Sequence, residues 1–142
     1  MGQTASVAPE VAVLIVDDEA TIRSALRDLI QTSYPQLQVI DAPDGATGRK
    51  LFDAHRPAVV LVDKNLPDAN GIDLTRSIKK LSPTTMVAVI SVETNAHIAA
   101  QALAAGAVAF VGKDRLFDEI VPLIGAAATL VAWVGDTGTA LS

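Results

Sequence analysis

Five short apolar runs recur along this 142-residue chain, separated by segments of helical length. They are VAVLIV at 11–16, LQVIDA at 37–42, AVVLV at 58–62, MVAVI at 86–90 and VAFVG at 108–112. Strands apolar on both faces need helices on both sides, which is the condition of a parallel sheet. The intervening segments supply those helices. Over 19–32, Ile22, Leu26, Leu29 and Ile30 share one side, while Arg23, Arg27 and Asp28 lie on the other. Further helices are predicted over 45–55, after Asp44-Gly45, and over 72–81 and 95–105. Ser82-Pro83 stops the helix before it, because the residue preceding proline disfavours α geometry. Right-handed crossovers then give a three-layer α/β domain of five βα units. The pattern by itself leaves the strand order open.

The ends of those runs carry the chemistry. Asp17 and Asp18 follow the first, Asp63 the third, Ser91 the fourth, and Lys113 the fifth. In an open parallel sheet the C-terminal strand ends border one crevice, where ligands bind. Carboxylates gathered there repel one another and raise each other's pKa unless a cation offsets the charge. A hard ion that takes oxygen ligands and keeps several waters, such as Mg²⁺, suits such a cluster and phosphoryl chemistry. Each residue also has a plainer reading. Asp18 can cap the following helix, worth about 1 kcal/mol; Ser91 can be a cap, and Lys113 can be solvated.

Composition narrows the function classes. The chain is half hydrophobic, poor in aromatics and long enough to bury a core as one domain. Its net charge is −5, and Arg49-Lys50 and Lys79-Lys80 are isolated basic pairs rather than a basic run, so no autonomous footprint for nucleic acid is expected. The absence of cysteine excludes disulfides and thiolate metal sites. MGQTASVAPE lacks the basic and apolar regions of a secretory signal. Residues 1–10 are expected to form a flexible lead, 11–132 the domain and 133–142 a tail.

With LIVDDE at 14–19, DKNLPDANG at 63–71, ISVE at 90–93 and FVGKD at 110–114, the chain resembles the receiver domain of two-component response regulators. The resemblance implies a flavodoxin-like (βα)5 fold with a five-stranded parallel sheet in the order 2-1-3-4-5. It implies that Asp63 is the phosphoacceptor, serving a sensor histidine kinase or a histidine phosphotransfer protein. Asp17, Asp18, Asp63 and the backbone carbonyl of Asn65 would hold Mg²⁺ or Mn²⁺. Ser91 and Lys113 would bind the phosphoryl oxygens, and Ser91 with Phe110 would form the switch, although Phe110 also reads as an ordinary core aromatic. Such a protein is a cytoplasmic signalling phosphoacceptor rather than an enzyme with a separate substrate. A bacterial family of this kind also argues against N-myristoylation, whose pattern MGQTAS at 1–6 formally fits.

Asn65 and Glu93 flank the site with the same pair found in chemotaxis-type receivers, which lose phosphate quickly, and this suggests a short-lived signal. Lys113-Asp114 resembles receivers that carry a helix-turn-helix output domain, in place of the frequent Lys-Pro, so a trans peptide is expected there. Val92 stands where the family has a very small residue, and it is expected to crowd the phosphoryl pocket. Two other function classes stay open: a non-phosphorylated receiver-like binding module, and a Mg²⁺-dependent phosphohydrolase. Against the second, the aspartates here are adjacent, whereas haloacid dehalogenase-type hydrolases carry Asp-x-Asp.

The last apolar stretch, from about 115 to 134, has roughly 15 uninterrupted apolar residues and is too short to span a bilayer. Phe117, Ile120, Val121, Ile124, Leu130 and Val131 are assigned to its buried face. Pro122 costs a helix about 3 kcal/mol outside its first turn, so a late start or a kink is expected. Pro122, Gly125, Ala126 and Thr129 leave an uncharged opposite side. That side fits either a homodimer through the face of the fourth helix, fifth strand and fifth helix, or packing against a tail that includes Trp133.

Overall fold

A computed structural model describes residues 11–127. Within it, β1 (Ala12–Val16), β2 (Gln38–Ala42), β3 (Val59–Asp63), β4 (Met86–Ser91) and β5 (Ala109–Gly112) alternate with α1 (Ala20–Ser33), α2 (Gly45–His55), α3 (Gly71–Leu81) and α4 (Ala96–Ala104). A 3-10 turn at Lys113–Arg115 leads into α5, which is helical over 116–127. All strand pairs are parallel and the order is β2-β1-β3-β4-β5. The sheet is therefore the doubly wound one that the resemblance implies.

The two-residue period of a strand explains why the runs other than β2, which carries Gln38 and Asp41 at the sheet edge, are apolar on both faces. Val13, Ile15, Val59, Leu61, Ala88, Ile90 and Val111 point to one face, where Leu26 and Ile30 of α1 and Leu116, Ile120 and Ile124 of α5 cover them. Leu14, Val16, Val60, Val62, Val87 and Val89 point to the other, under Phe52 of α2, Ile72 and Ile78 of α3 and Ile98 of α4. Helices α2, α3 and α4 are fixed at their N-termini by side chains predisposed to that position. Asp44 accepts from Thr47 N–H at 2.7 Å, Asn70 from Ile72 N–H at 2.8 Å, and Asn95 from Ile98 N–H at 2.9 Å. Asp68, from the β3–α3 loop, accepts from Gly45 N–H at 2.7 Å and so ties that loop to the start of α2.

The same loop folds back sharply on the end of β3. Gly71 N–H donates to Lys64 O at 2.7 Å, and a Cβ on Gly71 would lie 2.1 Å from the Asp63 carbonyl oxygen. No side chain fits there. Gly71→Ala is expected to destabilise the fold by about 2 kcal/mol or more, read by urea unfolding, because the neighbouring atom is backbone and cannot rotate away.

The last helix begins at 116, so Pro122 lies beyond the first turn, which excludes the late start from the two outcomes expected of that proline. The 3-10 turn also sets its phase so that Leu116, Ile120, Ile124 and Ala127 face the core, and Phe117 is 44% exposed rather than buried. Tyr34, just after α1, donates its hydroxyl to the Val121 carbonyl at 3.1 Å, and a Cβ on Gly125 would lie 2.2 Å from that hydroxyl. Gly→Ala inside a helix ordinarily stabilises by up to about 1 kcal/mol. Here Gly125→Ala is expected to lower the melting temperature instead, and Tyr34→Phe in the same chain should recover part of the loss. Thr129, Leu130, Val131 and Trp133, with the segments 1–10 and 133–142, lie outside the described residues. Among the described residues no helix is long and apolar enough to cross a membrane.

Candidate functional site

Register brings the polar strand ends together. Val16 pairs with Val62, Asp63 with Ile90, and Ser91 with Gly112, so Asp17, Asp63, Ser91 and Lys113 leave neighbouring strands at one edge of the sheet. Asp17 is fully buried and Asp63 nearly so, while Asp18 and Glu19 stand exposed above them. Asp17, Asp18, Glu19 and Asp63 each offer a carboxylate oxygen, all within 4.8 Å of one another. Into this cluster reaches Lys113. Its ammonium lies 2.9 Å from Asp63 Oδ2 and 3.3 Å from Asp17 Oδ2, and it also pairs with Glu19.

The remaining carboxylate oxygens take backbone amides. Asp17 Oδ1 accepts from Glu19 N–H at 2.8 Å, and Asp63 Oδ1 accepts from Asn65 N–H at 3.0 Å. Asp17 Oδ2 is the exception. It is buried without a hydrogen bond, since Lys113 at 3.3 Å attracts it electrostatically but does not meet hydrogen-bond geometry. Burial pushes the Asp17 carboxyl above its usual range, and the Asp63 charge adds to this, against the Glu19 amide and Lys113. Burial works against the charge of Lys113, but its bonds to Asp63 and Glu19 outweigh that and hold its pKa above the ordinary lysine value. One ammonium thus faces three carboxylates. A buried oxygen lacking a donor, beside three further hard oxygen donors, fits a divalent cation of the Mg²⁺ class.

The reading of Asp18 as a helix cap fails. The N-cap of α1 is Glu19, whose side chain makes no capping bond, and Asp18 instead joins the acidic cluster. Ser91 is fully buried, and its Oγ accepts from Glu93 N–H at 3.1 Å, which leaves the hydroxyl proton available to a ligand. Phe110 is half-buried and packs against the cluster beneath α2, α3 and α4. Val92 is 73% exposed, so its isopropyl group does not fill the crevice as expected; it stands at the rim, where solvent takes it. The Lys113–Asp114 peptide is trans.

Two contributors were not singled out from sequence. Glu19 enters because the turn after β1 brings it back over Asp17; the run DDE carried that signal. Lys64 places its ammonium 3.4 Å from both Asn65 Oδ1 and Glu93 Oε1, linking the two flanking positions across the mouth.

The family model described as response regulator receiver domain matches residues 13–124. The chain belongs to the response regulator receiver family. The receiver is 36% identical over 108 residues to protein-glutamate methylesterase/protein-glutamine glutaminase 2 of Pseudomonas aeruginosa, a match covering 75% of this chain and 31% of that protein. It is 37% identical over 113 residues to the corresponding protein 1 of Burkholderia pseudomallei, covering 78% and 30%. The receiver therefore spans under a third of the curated relatives it matches. Among solved structures, the signal receiver domain of the response regulator NarL from Mycobacterium tuberculosis superposes with a TM-score of 0.76 at 29% identity, covering 85% of this chain and 98% of that one. A receiver domain from Clostridium thermocellum, at 24% identity and a TM-score of 0.78, shares the fold.

Proposed function

We propose that this receiver accepts a phosphoryl group on Asp63 in a Mg²⁺-dependent reaction and uses it to change a protein-binding face. The observation that carries the reading is the pairing of Asp63 Oδ2 with Lys113 at 2.9 Å beside the donor-less oxygen of Asp17. The site thereby has a nucleophile, a fixed cation and a place for a second cation. Asp17, Asp18, Asp63 and the Asn65 carbonyl would hold Mg²⁺ (or Mn²⁺), and Glu19 is near enough to contribute. The ion supplies charge neutralisation for the phosphoryl oxygens.

An Asp63 carboxylate oxygen attacks phosphorus as the bond to the donor histidine nitrogen breaks. That nitrogen leaves with the electron pair and takes up a proton. Lys113 exchanges its carboxylate partners for a phosphoryl oxygen, and Ser91 donates its hydroxyl to another. The new group brings up to about two negative charges, which draw Ser91 inward and leave room behind β4. Phe110, only half-buried at rest, is the side chain able to fill it. This is a population shift between two packings, biased by the phosphoryl contacts. Leu103 of α4, Val108 before β5 and Phe117 of α5 are exposed, at 53%, 57% and 44%, and they support a homodimer or output partner on that side.

Incubation with Mg²⁺ and acetyl phosphate, read by intact mass, tests the proposal. The expected result is a gain of ~80 Da that EDTA prevents and Asp63→Asn abolishes. No adduct under these conditions would favour a receiver that acts by binding alone. Steady turnover of phosphoesters without an adduct would favour a hydrolase.

A further inference from the structure

Beyond the residues that line the crevice, one side chain reaches the site from behind. The β1–β2 ladder ends where Asp17 N–H donates to Ala42 O at 3.1 Å. At the next carbonyl, Asp17 O accepts from a guanidinium nitrogen of Arg23 at 2.7 Å. The Nε of the same guanidinium donates to Asp41 Oδ2 at 2.8 Å. Asp41, on β2, also holds Arg27, whose other nitrogen donates to the Val39 carbonyl at 2.8 Å. Arg23 is well covered, with a side chain 17% exposed, and Asp41 is 26% exposed. Burial alone would raise the Asp41 carboxyl, but its bonds to Arg27 and Arg23 outweigh this and hold it below the usual carboxylate range. The rigid fork of arginine suits this arrangement, since one group must span two acceptors at fixed angles.

The consequence follows from peptide planarity. Fixing the Asp17 carbonyl fixes the plane that contains the nitrogen and Cα of Asp18. Glu19 N–H, on Asp17 Oδ1, pins the following residue. The acidic turn is thus held by the Ala42 carbonyl, by Asp17's own carboxylate and by Arg23. Lys113 pairs with carboxylates of this turn, but among the described residues Arg23 is the side chain from another element that bonds its backbone. We infer that Arg23, oriented by Asp41, is a positioning residue that aims the Asp18 carboxylate into the cation site. This rests on the metal reading above. Arg27 is the internal control, because it shares Asp41 and the same helix but its second bond goes to β2 and not to the acidic turn.

The test uses the full chain and two readouts. In the first, Mn²⁺ is titrated and the free ion followed by its paramagnetic resonance signal. Arg23→Met should weaken binding roughly tenfold, the scale of losing a group that orients a ligand, with Arg27→Met changing it less than about twofold by the same reasoning. In the second, amide hydrogen exchange is measured in EDTA. The Glu19 amide should exchange faster in Arg23→Met and at the wild-type rate in Arg27→Met. Equal effects of the two variants on affinity, or an unaltered Glu19 amide in Arg23→Met, would overturn the inference. If the wild-type chain binds no Mn²⁺, the metal reading fails, and the exchange contrast alone still decides whether Arg23 holds the turn.

Discussion

Asp17→Asn is expected to raise the stability of the metal-free receiver and to remove its response to Mg²⁺. Asp17 is fully buried, one of its oxygens lacks a donor, and its carboxyl is pushed upward by burial and by Asp63. A carboxyl whose folded pKa exceeds its unfolded value costs stability when ionised. That cost is absent at pH below the unfolded value, near 3.9, grows as pH rises towards the folded value, and is constant above it. Asparagine keeps the oxygen that accepts from Glu19 N–H while deleting the charge. The gain at neutral pH in EDTA should be on the order of 1 kcal/mol, or about 3–5 °C at this chain length. Added Mg²⁺ should stabilise the wild type by mass action and leave the variant unmoved, with affinity reduced about 100-fold or more. Thermal scans with and without the ion, across pH, read both effects.

Lys113→Met should do the reverse. Its ammonium is the shared partner of Asp17, Glu19 and Asp63, and without it four carboxylates face one another with no cation among the side chains that pair with them. Breaking an enclosed ion pair costs about 3–5 kcal/mol. This crevice opens to solvent on the side of Asp18 and Glu19, so about 2 kcal/mol is expected in EDTA. The pH dependence follows from the signs. The folded pKa of Lys113 is raised, so its contribution is complete below the unfolded value near 10.4 and is lost only as pH climbs past it. Between pH 6 and 9 the deficit should therefore be flat. It should shrink in acid, where Asp17, whose carboxyl burial pushes upward, takes up its proton and no longer needs the lysine. Mg²⁺ should rescue much of the lost stability, since the ion supplies charge where the ammonium did, yet phosphorylation should remain slow because Lys113 would meet the phosphoryl oxygens.

The fold was legible because its signal is redundant. β1, β3, β4 and β5 are apolar at both odd and even positions up to their polar ends, as a sheet covered on both faces demands, while the edge strand β2 carries Gln38 and Asp41. The helix starts predicted at 45, 72 and 95 fall within a residue of Gly45, Gly71 and Ala96. The site was legible because parallel strands place their polar terminators along one edge. Other features needed coordinates. The phase of α5 depends on the 3-10 turn at Lys113–Arg115, which the sequence does not announce, so Phe117 reads as buried in the sequence and stands exposed in the fold. The volume of Val92 suggests crowding, whereas its direction, out to solvent, decides its effect. Glu19, Lys64 and the Arg23–Asp41 bridge act through contacts between residues far apart in the chain or through a tight turn, and no periodicity reports those. Gly71 was visible as part of a motif, but only the approach of the Asp63 carbonyl explains why glycine is required.

Borohydride trapping of the phosphorylated receiver tests the central claim most directly. An acyl phosphate is reduced to an alcohol, so an aspartyl phosphate becomes homoserine, and peptide sequencing by mass spectrometry locates it. Homoserine at position 63 alone, dependent on Mg²⁺, is the expected result. Homoserine at Asp17 or Asp18, or an adduct that borohydride leaves intact on another side chain, would contradict the account.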